Sequence, residues 1–462
     1  MKLQKTIFPH QAAWLKPVII FVLLLILLIP LGFIKSLIYD REHYQRKAEE
    51  SIMEPAGGEP VIEGLVLAVP YEKRTEYKTA AGDIQQLKHT YYILQVPETY
   101  EFSAQINPYR LSRGIFTVPV FNGTVSLQAV FSKFAFTQFN IEEDCICYKD
   151  AVLILGVQNK KTFTAYPALK INGTVLEESL VNPAEASPFD NAVYYNVPET
   201  LIRSGFALDG SITVQGGKSL SIIPLAADNR FIVNSTWSAP SFSGGWLPKS
   251  RTVTPEGFSA DWSISGLSTV FPRTWNTEYS DTVKNAAVKI DTPEAVAIGF
   301  ITPINHYAQV KRCVTYALLF LAVPFLAIFL CELWSAIRVH PIQYFLIGIA
   351  DILFYLLLLS ISEHLPFGVS YLIATVSVCT VVCLYAAAVF RHFRWGLLLT
   401  IVQAISYVLL FGILQSEDYA LLIGSIGIFS VVAVLMFLTR KIDWYARDFT
   451  ISLDHPENTE TE

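Results

Sequence analysis

Six long apolar runs constrain the fold of this sequence more than any other feature. Each run is long enough, at about 1.5 Å of helical rise per residue, to cross the hydrocarbon of a bilayer as an α-helix. Between Asp40 and Arg312 the sequence contains no comparable run. The pattern predicts a membrane protein with six transmembrane α-helices and a large domain, residues 35–312, between the first and second helices. The predicted helices are residues 18–34, 313–331, 344–361, 367–390, 395–414 and 420–439.

The first run is predicted to remain in the protein as a membrane anchor. Lys2, Lys5 and Lys16 give it the basic start of a signal peptide, but no small-residue cleavage site follows at residues 35–41. The charged segment 40–56 has no β pattern. We expect it to continue the first helix outward as a short stalk.

Positive charges lie at one set of helix ends, and this predicts the orientation. The two short loops of the opposite side, residues 362–366 and 415–418, contain no lysine or arginine. Because short loops rich in these residues stay in the cytoplasm, the N-terminus (residues 1–17) and the tail (440–462) are predicted to be cytoplasmic and the large domain external. The basic residues at the cytoplasmic ends are Lys2, Lys5, Lys16, Arg338, Arg391, Arg394, Arg440, Lys441 and Arg447.

The large domain is predicted to be mainly antiparallel β-sheet packed as a sandwich. Residues 124–134 alternate apolar and polar side chains, as a strand with one buried face does. Shorter runs also have strand character, and glycine-containing pairs that favour turns separate them. Many short strands without intervening helices are typical of a sandwich. The runs are residues 91–96, 151–157, 219–225, 231–237, 258–263 and 295–301, and the pairs begin at Asn122, Asn172, Asp209, Gly216 and Gly244.

Charge, cysteines and motifs exclude several classes of function. The net charge is −6 and no basic stripe is present, so we predict no nucleic-acid partner. The sequence lacks the H-E-x-x-H, G-x-S-x-G, P-loop and Rossmann patterns. We therefore predict no enzymatic activity, no cofactor and no bound metal. Cys145 and Cys147 are either free thiols or a strained disulfide across one residue, and the sequence leaves both open.

An aromatic-rich segment of the large domain is the candidate contact region for a partner. It contains Trp237, Phe242, Trp246 and Trp262. If these side chains are exposed in loops they can bind a partner. If they are buried they belong to the core, and the sequence does not decide between the two.

Asp351 is the candidate polar site within the membrane. It lies inside an apolar run, where a carboxylate is energetically unfavourable and is by default a functional hypothesis. The alternatives are an ion or proton site, and a hydrogen-bonded group that packs against neighbouring helices. Its partners in the second case would be Gln403, Ser406 or Thr375.

Long segments of the chain resemble the CreD family of inner-membrane proteins. They include Arg338-Val-His-Pro-Ile-Gln-Tyr344 and Leu438-Thr-Arg-Lys-Ile-Asp-Trp-Tyr445, with further similar segments at residues 64–70, 234–242, 246–248, 257–258 and 355–364. The resemblance implies a Gram-negative inner membrane and a periplasmic β domain. It also implies a role in cell-envelope integrity, with expression under a carbon-source-responsive two-component system. It supplies no catalytic residue and no ligand.

Three classes of function fit a chain of this organisation: an envelope protein without enzymatic activity, a transporter or flippase built on the five C-terminal helices, and a membrane enzyme. The missing motifs count against an enzyme, and the absence of paired, interrupted helices counts against a transporter. We therefore predict a non-enzymatic protein that maintains envelope integrity through its periplasmic domain. Its partners would be the lipid bilayer and an envelope component, which is a protein, peptidoglycan or a lipid. The transporter or flippase is the alternative.

Fusions to alkaline phosphatase test the orientation, because this enzyme is active only outside the cytoplasm. We expect activity when it is fused after Ser362 or Glu417, and none when it is fused after Arg394. Activity after Arg394 together with inactivity at the other two positions would contradict the predicted topology.

Overall fold

The computed structural model describes residues 15–78, 84–179, 187–269, 271–279, 294–301, 306–335, 337, 339–415 and 420–440. The chain divides into two compact units. We name residues Gln45–Ile304 the β unit, and Met1–Tyr44 with Asn305–Glu462 the helical unit. Several predicted features lie outside the described residues, among them Arg338, most of segment 1–17, the loop at 416–418 and the tail beyond Arg440.

Long apolar helices form the helical unit. Among the described residues, α1, α5, α6 and α7 are each long and apolar enough to cross a membrane, and α3 with α4 gives a fifth such span if the bent pair is counted as one. α8 is also apolar. The helix bounds are α1 (Leu15–Met53), α2 (Glu199–Ser204, in the β unit), α3 (His306–Thr315), α4 (Ala317–Ser335), α5 (Pro341–Ser362), α6 (Phe367–Val389), α7 (Phe393–Gln415) and α8 (Ala420–Thr439).

The second apolar run differs from its prediction as one helix over residues 313–331. The chain there forms α3 and α4, whose axes bend by 50° at the break between them. The change of sequence character explains the bend. α3 is amphipathic, with Tyr307 and Val310 buried and Arg312 exposed, whereas α4 is apolar from Ala317 to Cys331. An amphipathic helix packs its apolar face against other parts of the protein, whereas a helix that is apolar on all sides can be surrounded by lipid.

The segment predicted as a stalk is helical. α1 runs without interruption from Leu15 to Met53, and a short 3₁₀ turn over Glu54–Ala56 ends it. Gly57 follows with φ of 95°, a left-handed conformation that glycine adopts without strain and that ends helices. The first strand begins four residues later at Val61.

Two β-sheets make up the rest of the β unit. The first sheet has the order β12-β16-β10-β1-β2-β15, with β5 pairing β1 and β8 pairing β5. The second has the order β13-β14-β11-β3-β4-β9-β6-β7. The strands are β1 (Val61–Lys78), β2 (Ile84–Gln95), β3 (Thr99–Arg113), β4 (Phe116–Phe131), β5 (Val152–Val157), β6 (Ala168–Ile171), β7 (Thr174–Val175), β8 (Ala192–Asn196), β9 (Phe206–Gly217), β10 (Ser219–Ile222), β11 (Asp228–Ser235), β12 (Pro240–Gly244), β13 (Ser250–Thr254), β14 (Gly257–Ser265), β15 (Thr274–Asn276) and β16 (Val296–Phe300).

Both sheets are mainly antiparallel, as the sequence predicted, but each contains one parallel pair and is therefore mixed. β1 runs parallel to β10 and β3 runs parallel to β11. The other pairings between the described strands are antiparallel. Alternation along one strand reports which of its faces is buried, but not the direction of its neighbour. The parallel pairs were therefore not visible in the sequence.

The two sheets pack face to face around one large core, which supports a sandwich-like description. Leu67 and Leu153 of the first sheet share this core with Phe102, Leu127 and Phe231 of the second. The predicted alternation over residues 124–134 is observed in β4, where buried and exposed residues alternate up to Phe131.

The first sheet has a second buried face. Val66, Ile154 and Trp275 belong to a smaller core on that side. All six residues of β5 are therefore buried, and its sequence is a continuous apolar run instead of an alternating one.

Three of the glycine-containing pairs predicted as turns, those that begin at Asn122, Asp209 and Gly216, lie in strands. Gly123 is in the middle of β4, where an added Cβ would lie 2.6 Å from Ile106 Cδ1. Gly210 is in β9, where an added Cβ would lie 2.5 Å from Leu169 Cδ2. These glycines make room for a side chain of the adjacent strand. The pair at Asn172 is a turn as predicted, with φ of 51° there and 79° at Gly173.

Glu63 is a partly buried carboxylate at an irregularity in β1. The register of β1 against β5 shifts between Ile62 and Gly64, and Gly64 has φ of 104°. Among the described residues, Glu63 Oε2 is buried without a hydrogen-bond partner. Burial, with a smaller contribution from the charge of Asp190, raises the pKa of Glu63 to about 7.

The raised pKa of Glu63 predicts a stability that falls with pH. As the pH rises from the ordinary value of 4.5 to about 7, the unfolded chain loses this proton before the folded chain does. The free energy of unfolding therefore decreases over this window and stays lower above it. Glu63→Gln removes the ionisation, so it should raise the thermal unfolding temperature at pH 8 and have less effect at pH 5.

The matched control is Glu101→Gln, which changes an exposed carboxylate of β3. The measurement is thermal unfolding of the purified full chain in detergent. A gain for Glu63→Gln that is equal at both pH values would contradict the assignment.

Candidate functional site

Most of the predicted aromatic residues lie near two edge strands, one from each sheet of the β unit. β12 is the last strand of the first sheet and β13 is the last strand of the second. Within the described part of the chain, β12 pairs with β16 alone and β13 with β14 alone. The loop 245–249 joins these two strands, so residues 240–254 contribute one edge strand to each sheet.

Three of the four predicted aromatic residues come together at this position. The rings of Phe242 and Trp262 are 5.8 Å apart, and Phe258 also packs edge-on against Phe242 at 5.6 Å. The indole N–H of Trp262 donates to the carbonyl oxygen of Trp246 at 3.3 Å. The Arg251 guanidinium lies 5.8 Å from the centre of the Phe242 ring.

The three aromatic side chains differ in how deeply they are buried. Trp262 is 1% exposed and belongs to the core, so it is not available to a partner in this structure. Phe242 and Trp246 are partly buried and pack on the core from outside. Among the described residues, Trp246 Nε1 is buried without a hydrogen-bond acceptor.

Leu247 is an exposed apolar residue of this region that was not predicted from the sequence. It is 71% exposed in the loop between the two edge strands. We name Phe242, Trp246 and Leu247 the aromatic edge. A lone leucine in a loop carries no sequence signal, so only the fold could identify it.

Trp237 lies apart from the aromatic edge. Its ring packs edge-on against Phe300 at 6.4 Å, and its indole N–H donates to the carbonyl oxygen of Ile301 at 3.1 Å. The Arg110 guanidinium lies 5.6 Å from the centre of the Trp237 ring. The predicted group of four aromatic residues is thus divided among the core, the edge and a separate surface.

Asp351 is the centre of a buried polar cluster in the helical unit. It is 3% exposed on α5. Its Oδ1 atom accepts hydrogen bonds from Gln403 Nε2 and, at 3.3 Å, from the Tyr407 hydroxyl, both on α7. The hydroxyl of Tyr371 on α6 donates to the carbonyl oxygen of Tyr407 at 2.6 Å. The cluster therefore links three helices.

Of the partners predicted for Asp351, the structure shows Gln403, and Tyr407 is a partner that the sequence did not predict. Two further acceptor atoms in the cluster, Asp351 Oδ2 and Gln403 Oε1, are buried without a hydrogen-bond partner among the described residues. Those residues also contain no group of three or more His, Cys, Asp or Glu side chains that could hold a metal ion. The arrangement can hold helices together, and the role of Asp351 in ion or proton binding stays untested.

Two glutamates near the helix ends connect further elements of the helical unit. Glu332 of α4 accepts from Lys16, from the Val339 amide at 3.1 Å and from the Tyr344 hydroxyl at 2.9 Å. These bonds join α4 to the starts of α1 and α5.

Glu363, which follows α5, accepts from the Tyr307 hydroxyl at 2.9 Å and lies 3.7 Å from Arg41 Nε. It therefore joins the end of α5 to α3 and α1. Charged residues that flank apolar runs are visible in a sequence, but their partners, which are distant along the chain, are not.

In comparisons with known proteins, the chain matches one protein family. The family model described as inner membrane protein CreD matches residues 12–445. Inner membrane protein CreD of Escherichia coli is 28% identical over 427 residues, which is 91% of this chain and 91% of that protein. Among solved structures, an M1 zinc metallopeptidase from Deinococcus radiodurans aligns with 44% of this chain and 42% of its own at 8% identity and a TM-score of 0.20. A score that low carries no argument about fold or activity.

The hydrogen bonds around Asp351 indicate that the protein needs the shape and acceptor oxygen of this side chain more than its negative charge. Asp351→Asn keeps an oxygen that can accept from Gln403 and Tyr407, so the chain should accumulate, melt and function like the parent. Asp351→Leu removes the acceptor and should lower the melting temperature in detergent, because each buried donor left unpaired costs about 1–3 kcal/mol. Loss of envelope function in Asp351→Asn at normal protein levels would show instead that the charge is required.

Proposed function

The chain belongs to the CreD family of inner membrane proteins, and from this we propose that it maintains the integrity of the cell envelope through its β unit, without chemistry of its own. The observation that carries the proposal is the family match, which extends over both units. The β unit takes more than half of the chain and offers a folded surface for a partner.

We propose six membrane crossings, with both termini in the cytoplasm and the β unit in the periplasm. The crossings would be α1, the α3–α4 pair, α5, α6, α7 and α8. Lys16 then lies at the start of the first crossing, Arg391 lies between the fourth and the fifth, Arg394 lies at the start of the fifth, and Arg440 follows the sixth. An even number of crossings separates these positions, so all four basic residues fall on one side, as cytoplasmic residues do.

We propose the aromatic edge as the contact with an envelope component. Edge strands present N–H and C=O groups that an extended peptide can pair with. At the aromatic edge two such strands are joined by the loop that exposes Leu247 and holds Trp246. The free N–H and C=O groups of these edge strands favour a polypeptide partner, which can pair with them, over a sugar polymer or a lipid.

Complementation of bacterial cells that lack this protein tests the proposal. Such cells should be sensitive to detergent and to envelope-acting agents, and the full chain should restore resistance. Leu247→Asp should restore it less well, because the charge disrupts an apolar contact. The matched control is Leu267→Asp, which changes a residue that is 94% exposed outside the aromatic edge and should restore resistance fully.

A chain that lacks residues 60–300 but still inserts in the membrane should fail to restore resistance. If the helices alone restored it, the activity would lie in the helical unit, and the transporter or flippase would replace the envelope contact as the favoured function. Equal complementation by Leu247→Asp and Leu267→Asp would remove the aromatic edge as the contact.

A further inference from the structure

The last strand of the second sheet, β13, has an exposed core-facing side. Val253 of this strand pairs with Phe258 of β14, and Arg251 pairs with Ala260. Residues that are directly opposite in a β-sheet place their side chains on the same face, and Phe258 and Ala260 belong to the core between the two sheets. Val253 is nevertheless 49% exposed, and Arg251 is exposed as well. The core is therefore uncovered along β13.

Phe242 of the first sheet lies beside this exposed side. It pairs with the buried Ile298 of β16, so its ring also faces the core. The Arg251 guanidinium lies 5.8 Å from the centre of that ring, which places Arg251 between the two sheets. We name Phe242, Arg251 and Val253 the edge face. The loop 245–249 connects its two strands at one end.

The backbone of β13 is open along one edge. Within the described part of the chain β13 pairs with β14 alone, and all five of its residues are exposed. A strand edge of this kind presents N–H and C=O groups with which an extended polypeptide can pair. At roughly 3.3 Å per residue the strand is about 17 Å long, so it can pair with about five residues of a partner strand.

Two basic residues give the edge face and its surroundings a positive charge. They are Arg251 and Lys249, which precedes β13 and is also exposed. Among the described residues, neither has a carboxylate oxygen within 4.0 Å. The acidic residue of this hairpin is Glu256, in the turn that follows the other end of β13. Because arginine binds carboxylates through two parallel hydrogen bonds, an acidic partner complements Arg251.

We infer, on the basis of the proposed envelope contact, that the edge face binds an extended acidic polypeptide, which pairs with β13 as an added strand. Successive side chains of a strand point to opposite faces, so the partner residues beside Arg251 and Val253 are two positions apart. The partner segment therefore has an acidic residue beside Arg251. Two positions away it has an apolar residue that covers Val253 and the ring of Phe242.

Three synthetic peptides test the inference with the purified full chain in detergent, by fluorescence anisotropy. The first has the sequence Thr-Glu-Thr-Val-Thr-Glu-Thr-Val-Thr, in which acidic and apolar residues are two positions apart. The second has lysine in place of each glutamate. The third keeps the acidic sequence but has a methyl group on each backbone nitrogen, which prevents strand pairing. We expect the first peptide to bind severalfold more tightly than either of the others.

Reversal of the charge at residue 251 tests the contribution of the arginine. Arg251→Glu should lose the preference for the acidic peptide and bind the lysine peptide more tightly, because opposite charges on paired strands attract. The matched control is Arg74→Glu, which makes the same change at an exposed arginine of β1 and should keep the preference of the parent. An unchanged melting temperature shows that each variant is folded.

The comparison of the three peptides needs no variant of the protein. Failure of all three peptides to bind would overturn the inference. Binding that does not depend on the charge of the peptide, or that persists when the backbone is methylated, would also overturn it.

Photocrosslinking in cells distinguishes the occupants of the edge face. A photoreactive amino acid at residue 253 should crosslink to another polypeptide of the envelope, in a segment with an acidic and an apolar residue two positions apart. A crosslink to a second copy of this chain, to another part of the same chain or to a lipid would overturn the inference, and so would the absence of any crosslink.

Complementation separates a failure of this inference from a failure of the proposed function. Leu247→Asp tests the envelope contact whatever the chemistry of the partner. Loss of complementation in that variant, together with peptide binding that does not depend on charge, would keep the envelope contact and overturn the acidic strand. Charge-selective peptide binding, together with full complementation by Leu247→Asp, would support the acidic strand and remove the envelope contact.

Discussion

Hydrocarbon offers no hydrogen-bond partners to a polypeptide backbone, and the rest of this structure depends on that constraint. Each segment that crosses the membrane must satisfy its own N–H and C=O groups, so it is helical and apolar. The long apolar helices of the helical unit meet this condition. Two carboxylates of the helical unit, Asp351 and Glu332, bond to groups on neighbouring elements. These bonds specify which helices pack together where apolar contacts alone are not specific.

The β unit satisfies the same backbone requirement by pairing strands, and water at its surface permits open edges. Its first sheet is buried on both faces, and its second sheet alternates buried and exposed residues. The outer face of the second sheet and the open strand edges are the parts of the unit that this packing leaves without a covering layer. The proposed contact with an envelope component lies at such open edges, where an apolar loop joins two edge strands.

The sequence predicted the helices well because apolar length is a local property. Residues 344–361 and 395–414 were expected to be helical, and α5 and α7 extend over Pro341–Ser362 and Phe393–Gln415. The break between α3 and α4 escaped the prediction because a window of mean apolarity does not detect an amphipathic helix placed before an apolar one. The parallel pairs of β1 and β3 escaped it because strand direction depends on contacts far apart in the sequence. The sequence predicted a group of four aromatic side chains. In the structure these side chains differ in burial and do not form one group, and the exposed Leu247 lies beside two of them at the aromatic edge.

We propose that the β unit, and not the helices after it, carries the function. A chain of residues 1–304 retains α1 and the β unit and omits the other helices of the helical unit. Protease resistance equal to that of the full chain would establish that its β unit is folded. Expressed at the level of the full chain in cells that lack the protein, it should restore resistance to detergent. A folded, membrane-anchored chain of residues 1–304 that restores none would contradict the account.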